Sequence, residues 1–140
     1  MTRNTSSKRE KAVRRHNLAT LCALILFGLL VLVKLPIAAG IDGISPLVTI
    51  LLLSAIIIVY RTRNADEYTS ALWRTGTSLA FVITIAFLLL VPFGEGFVDG
   101  LLGAHAGEEP VQDLPTSDYA LPIALGAFFI GNAWARVRGT

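Results

Sequence analysis

The longest uncharged stretch of the chain, residues 75–94 between Arg74 and Glu95, reads TGTSLAFVITIAFLLLVPFG. As an α-helix its 20 residues would rise about 30 Å, which matches the hydrocarbon thickness of a bilayer. The stretch lacks the alternation of apolar and polar residues that a membrane β-barrel strand requires. Because the backbone must satisfy its own hydrogen bonds in hydrocarbon, an apolar run of this length predicts a transmembrane helix.

Three further segments without formal charge have nearly the same length: 16–33, 43–60 and 119–135. Together the four segments predict an all-α polytopic membrane protein, an antiparallel bundle of four transmembrane helices that forms a single domain over residues 16–140. We expect spans at about 16–36, 44–61, 70–93 and 118–136, a basic cytoplasmic tail over 1–15 and an outer loop over 94–117.

The overall composition supports lipid rather than water as the solvent. Of the 140 residues, 54% are hydrophobic and 16% charged, whereas soluble domains are about 25% charged. A chain this short cannot bury so much apolar surface in one globular core. This composition argues against a soluble enzyme.

The charges that flank the spans predict the orientation of the chain. Eleven of the twelve basic residues fall on one side of the predicted bundle: Arg3, Lys8, Arg9, Lys11, Arg14, Arg15, Arg61, Arg63, Arg74, Arg136 and Arg138. Seven of the ten acids fall on the other: Asp42, Glu95, Asp99, Glu108, Glu109, Asp113 and Asp118. The positive-inside rule then predicts that both termini lie in the cytoplasm. We expect the protein to lie in the cell inner membrane.

A cleaved signal peptide is the alternative interpretation of the first span. The basic start and the small residues Ala38, Ala39 and Gly40 fit such a peptide. Its apolar region, however, is long and is followed by Lys34. We therefore expect a retained transmembrane helix.

Small residues recur at helical spacing on the third and fourth spans. On span three they are Gly76, Ala80 and Thr84, and on span four they are Ala120, Ala124, Ala127, Gly131 and Ala135. Association of helices in lipid depends on close approach of their backbones, which small residues allow. We expect these two spans to pack on each other; the alternative is that one stripe faces a second subunit.

The connection between spans two and three carries a polar motif, Asn64-Ala65-Asp66-Glu67-Tyr68. Asn64 and Glu67 have the spacing of a capping box, which predicts a helix that begins at about Ala65. The segment from Arg61 to Phe81 resembles that of small bacterial inner-membrane proteins of unknown function, in which an Asp-Glu motif opens the third helix. The resemblance implies a non-enzymatic membrane protein associated with a helix-turn-helix regulator. The candidate interaction residues are Asp66, Glu67 and Arg74.

No constellation of residues points to catalysis or to a cofactor. Cys22 is the single cysteine, and the two histidines lie at opposite ends of the predicted bundle, so neither a thiol exchange pair nor two facing haem ligands are present. His105 with Glu108 and Glu109 has metal-binding chemistry, but such a loop cluster is usually only solvated. We expect no metal site.

The predicted function is that of an accessory or regulatory membrane protein whose cytoplasmic face contacts a protein partner or another copy of the chain. None of the spans has a carboxylate near its middle, the mark of a proton-coupled transporter. A subunit of an oligomeric channel or small-solute transporter is the alternative. The basic tail lacks aromatic residues for stacking, so we expect it to bind anionic lipid rather than nucleic acid. No small-molecule substrate can be identified.

Overall fold

The computed structural model describes residues 3–33, 42–106 and 116–139, and the side chains within 7–33, 43–101 and 116–139. In these residues the regular structure is helical. The α-helices are α1 (Arg3–Val33), α2 (Ser45–Thr62), α3 (Glu67–Ala106) and α4 (Thr116–Arg138), and a short 3-10 turn, Asp42–Ile44, precedes α2.

Each of the four α-helices contains a stretch long and apolar enough to cross a membrane. The prediction of an all-α chain with four apolar helices is therefore confirmed. Large apolar side chains also remain exposed along these helices, including Leu18, Ile50, Phe81 and Leu89. Exposed apolar surface on this scale is typical of a multi-pass membrane protein.

Helix α1 begins well before the predicted first span. Residues 3–15, which were predicted to be a separate tail, form its first turns. The reason lies in the local sequence, because no glycine or proline occurs before Gly28 and lysine, arginine, glutamate and alanine all favour helix. The basic residues are thus arranged on the faces of a helix.

Helix α3 is 40 residues long and extends past the predicted span. Residues 94–106 were expected in a loop, and that prediction is wrong. Glycine at positions such as Gly94 and Gly100 costs only about 1 kcal/mol each in a helix, while Phe97 and Leu101 keep helical spacing. Residues 107–115 of the predicted loop lie outside the described residues, and its last two residues, 116 and 117, form the start of α4.

The chain divides into two compact units. Unit 1 comprises Met1–Arg74 and Ala135–Thr140, and unit 2 comprises Thr75–Trp134. In unit 1, α1 and α2 pack against each other as a hairpin. A single stripe of α2 is buried there, with the four- and three-residue spacing of a helix face: Val48, Leu52, Ala55 and Val59. Facing α1 residues such as Ala19 and Ala23 are small and buried.

Unit 2 is organised by the close approach of α3 to α4. A β-carbon built on Gly131 would lie 3.0 Å from the carbonyl oxygen of Thr75 and 3.1 Å from the Cα of Gly76. One built on Gly76 would lie 2.8 Å from the ring of Phe128. The two backbones are therefore in direct contact at these glycines, which leave no room for a side chain.

Candidate functional site

The N-terminal half of α1 meets the end of α2 through a buried histidine. His16 is fully buried, and its Nδ1 lies 3.1 Å from Oγ1 of Thr62. The Thr62 hydroxyl donates to the carbonyl of Ile58 at 2.8 Å, so its oxygen accepts from Nδ1–H of His16. Thr20 donates to the carbonyl of His16 at 2.9 Å. The bond between His16 and Thr62 therefore joins α1 to α2 at their polar end.

The second nitrogen of His16 has no such partner. Nε2 is buried and makes no hydrogen bond to any of the described residues. With Nδ1 carrying the proton, Nε2 is the acceptor of the neutral ring. A buried polar atom without a partner costs about 1–3 kcal/mol, so His16 is a strained point in an otherwise well-bonded region.

The connection from α2 to α3 is fixed by Asp66 and Thr69. The amide of Thr69 donates to Oδ1 of Asp66 at 2.7 Å, and the amide of Asp66 donates to Oγ1 of Thr69 at 3.1 Å. This is a reciprocal capping box in which Asp66 is the cap and Thr69 is the third helical residue.

The capping box predicted for Asn64 and Glu67 is therefore wrong, as is the predicted start at Ala65, because α3 begins at Glu67. Asn64 is exposed and lies before the turn that closes onto Thr69. Thr69, which the sequence analysis did not single out, is fully buried. The Asp-x-x-Thr spacing was the signal that would have identified this pair.

Aromatic side chains pack beside this connection. The rings of Tyr60 and Trp73 meet edge to face with centroids 5.8 Å apart. The guanidinium carbon of Arg63 lies 4.0 Å from the centroid of the Tyr60 ring, a cation–π contact. The connection is thus held in one conformation by its cap, its buried threonine and its rings.

The candidate interaction residues divide into two groups in the structure. Glu67 and Arg74 are exposed and seven residues apart, so they lie on one side of α3. Asp66 is half-buried and faces α1 instead.

A groove of about 520 Å³ opens between α1 and the start of α3. It is lined by Arg9, Glu10, Val13, Arg14, Asn17 and Asp66. Asn17 is held at its edge, because its Oδ1 accepts from Nη2 of Arg136 at 3.1 Å. The groove therefore combines two guanidinium groups with two carboxylates.

The predicted helix-packing residues differ in burial. Gly76, Ala127 and Gly131 are buried, whereas Ala80, Ala120 and Ala124 are partly exposed. Helices α3 and α4 therefore approach each other most closely at Gly76 and Gly131.

The side chains of His105, Glu108 and Glu109, considered above as a metal site, lie outside the side chains that the structure describes. In the part of the chain that the structure does describe, no group of three histidine, cysteine, aspartate or glutamate residues is placed to hold a metal. Cys22 is exposed on α1.

Compared with known protein families, with curated proteins and with solved structures, the chain matches none.

Proposed function

We propose that this protein is a non-enzymatic integral membrane protein that crosses the inner membrane four times and acts by binding a protein partner at its cytoplasmic end. The four long apolar helices support insertion in a bilayer. The basic residues that flank one end of each helix support cytoplasmic termini.

The observation that carries the proposal is the rigid polar connection between α2 and α3. Its exposed side chains, which we call the contact surface, are Arg61, Asn64, Glu67, Tyr68 and Arg74. Beneath them Thr69 is fully buried and bonded to Asp66. A surface held in one conformation loses little entropy on binding, and tyrosine and arginine are enriched among residues that dominate interface energies.

Topology is tested first, with reporter fusions after Thr140 and at Gln112. A cytoplasmic signal from the first and an external signal from the second are expected. Signals from the same side of the membrane would overturn the four-span arrangement.

Partner binding is tested by purification in mild detergent with quantitative mass spectrometry. The contact-surface variant is Glu67→Gln, Tyr68→Ala and Arg74→Gln, and the control is Lys8→Gln, Lys11→Gln and Arg15→Gln on α1. We expect a protein recovered with wild type and control to be lost from the contact-surface variant. Recovery of the same proteins with all three would overturn the role of this surface.

The alternative function, a channel or transporter, is addressed with the same purified protein in liposomes. No solute flux above that of empty liposomes is expected. Reproducible flux would favour the alternative over an interaction protein.

A further inference from the structure

We infer that the groove between α1 and the start of α3 binds the headgroup of phosphatidylethanolamine, a phospholipid that carries both a phosphate and a primary ammonium. The inference rests on the membrane insertion proposed above and goes beyond partner binding. It assigns a ligand class to a site that the contact surface does not use.

The charges that line the groove fit a ligand with both signs. Arg9 and Arg14 offer guanidinium donors for a phosphate, and Glu10 and Asp66 offer carboxylate acceptors for an ammonium. Among the described residues, no ion pair joins these carboxylates to these guanidinium groups. Apart from Oδ1 of Asp66, which accepts from the Thr69 amide, these charged groups are therefore available to a bound molecule.

The spacing of these charges fits the size of the headgroup. Glu10 and Arg14 are four residues apart on α1, so their β-carbons are about 5–6 Å apart. In phosphoethanolamine a two-carbon bridge separates the phosphate from the ammonium, so one headgroup reaches both side chains. The volume of about 520 Å³ falls within the usual range of small-molecule pockets.

The depth of the groove fits a lipid. The uncharged part of α1 begins at His16, next to Asn17 at the lower edge of the groove. Arg9 lies seven residues earlier, about 10 Å along the helix. The headgroup layer of one leaflet is about 5–8 Å thick, so the groove covers that layer.

A path for the acyl chains continues from the same face of α1. Leu21 and Leu24 follow Asn17 by four and seven residues, so they lie below the groove on its own side of the helix. Both are exposed, at 54% and 47%. A headgroup in the groove would thus place its acyl chains against apolar side chains.

The two carboxylates distinguish phosphatidylethanolamine from other common phospholipids. Phosphatidylglycerol would meet the guanidinium groups but has no cation for Glu10 and Asp66. Phosphatidylcholine has a cation without N–H groups, so it cannot donate hydrogen bonds to the carboxylates. The site should therefore bind phosphatidylethanolamine in preference to the other two phospholipids, because only its ammonium can donate hydrogen bonds to the carboxylates.

The test is a lipid titration of the delipidated full chain in dodecyl maltoside, followed by native mass spectrometry. Dioleoyl phosphatidylethanolamine is expected to bind about tenfold more tightly than the choline or glycerol lipid, the worth of one charge-assisted hydrogen bond. Water-soluble phosphoethanolamine is expected to compete poorly because it lacks acyl chains. Equal binding of the three lipids, preference for phosphatidylglycerol, or full competition by phosphoethanolamine would each overturn the inference.

Matched variants locate the binding in the groove. Glu10→Gln is expected to remove the ethanolamine preference, while Glu67→Gln, on the exposed side of α3, retains it. Arg14→Gln is expected to weaken the binding of all three lipids, while Arg15→Gln, outside the groove, leaves their binding unchanged. Unaltered binding by Glu10→Gln and Arg14→Gln would overturn the assignment. Because the titration in micelles requires no protein partner, its result is independent of the contact-surface experiment.

Discussion

The polar end of the α1–α2 hairpin and the contact between α3 and α4 are held together by different forces. In unit 1, directional hydrogen bonds join side chains to each other and to the backbone around His16, Thr62, Asp66 and Thr69. In unit 2, Gly76 and Gly131 bring two backbones into contact. Hydrogen bonds tolerate conservative replacement of one partner, whereas a glycine contact tolerates no added side chain.

The largest effect is expected from Gly131→Leu. The new side chain would begin 3.0 Å from the Thr75 carbonyl oxygen, so α3 and α4 must separate, at a cost of about 3 kcal/mol in the free energy of unfolding. Unfolding in mixed dodecyl maltoside and dodecyl sulfate micelles, followed by circular dichroism, measures this. Gly28→Leu is the control, because nothing lies within 4 Å of its β-carbon position. Equal stability of the two variants would contradict the close contact.

A smaller loss is expected on breaking the bond between His16 and Thr62. Thr62→Val should destabilise the protein by about 1–2 kcal/mol, because the buried Nδ1–H of His16 loses its acceptor, and a double-mutant cycle with His16→Leu should give a coupling of about 1 kcal/mol. Thr49→Val is the matched control, since the Thr49 hydroxyl bonds only within α2, to the carbonyl of Ser45. Additive losses in the cycle would show that the two side chains do not interact.

Removal of the helix cap should cost less again. Asp66→Ala is expected to lower the free energy of unfolding by about 1 kcal/mol, because the Thr69 amide loses its acceptor. Asp66→Asn retains an acceptor oxygen and should be nearly neutral, as should Asn64→Ala. The same unfolding measurement decides between the two caps: a greater loss for Asn64→Ala than for Asp66→Ala would restore the register predicted from sequence.

The smallest effect is expected at the aromatic pair. A double-mutant cycle with Tyr60→Leu and Trp73→Leu should give a coupling of about 0.5 kcal/mol, typical of an edge-to-face contact. Tyr60→Phe keeps the ring and should keep the coupling. A coupling of zero would show that the contact between Tyr60 and Trp73 does not stabilise unit 1.

Much of the fold was predictable from the sequence because helices long and apolar enough to cross a bilayer have a characteristic length and hydropathy. Each uncharged segment falls within one of the four α-helices, except that residues 43 and 44 belong to the 3-10 turn before α2. Helix ends were harder to predict. The continuation of α3 to Ala106 depends on glycines that permit helix as well as loop, and local propensity does not decide between the two.

The candidate site was predicted only in part. Asp66 was identified from its place in the Asp-Glu motif, but its partner Thr69 was not, since the capping box was assigned to Asn64 and Glu67, which have the same three-residue spacing. The groove also was not predicted, because it joins Arg9 and Arg14 to Asp66 across about fifty residues of chain. Such a pairing depends on how α1 packs beside α2.

Sequence alone determined the number of apolar helices and their distribution of charge, because hydropathy and charge are properties of each residue and need no knowledge of its neighbours in space. The three-dimensional structure was needed to show that His16 bonds to Thr62, that Asp66 caps α3 while facing α1, and that Gly131 touches Gly76. Those facts depend on distances of a few ångströms between residues far apart in the chain, and packing, rather than composition, sets such distances.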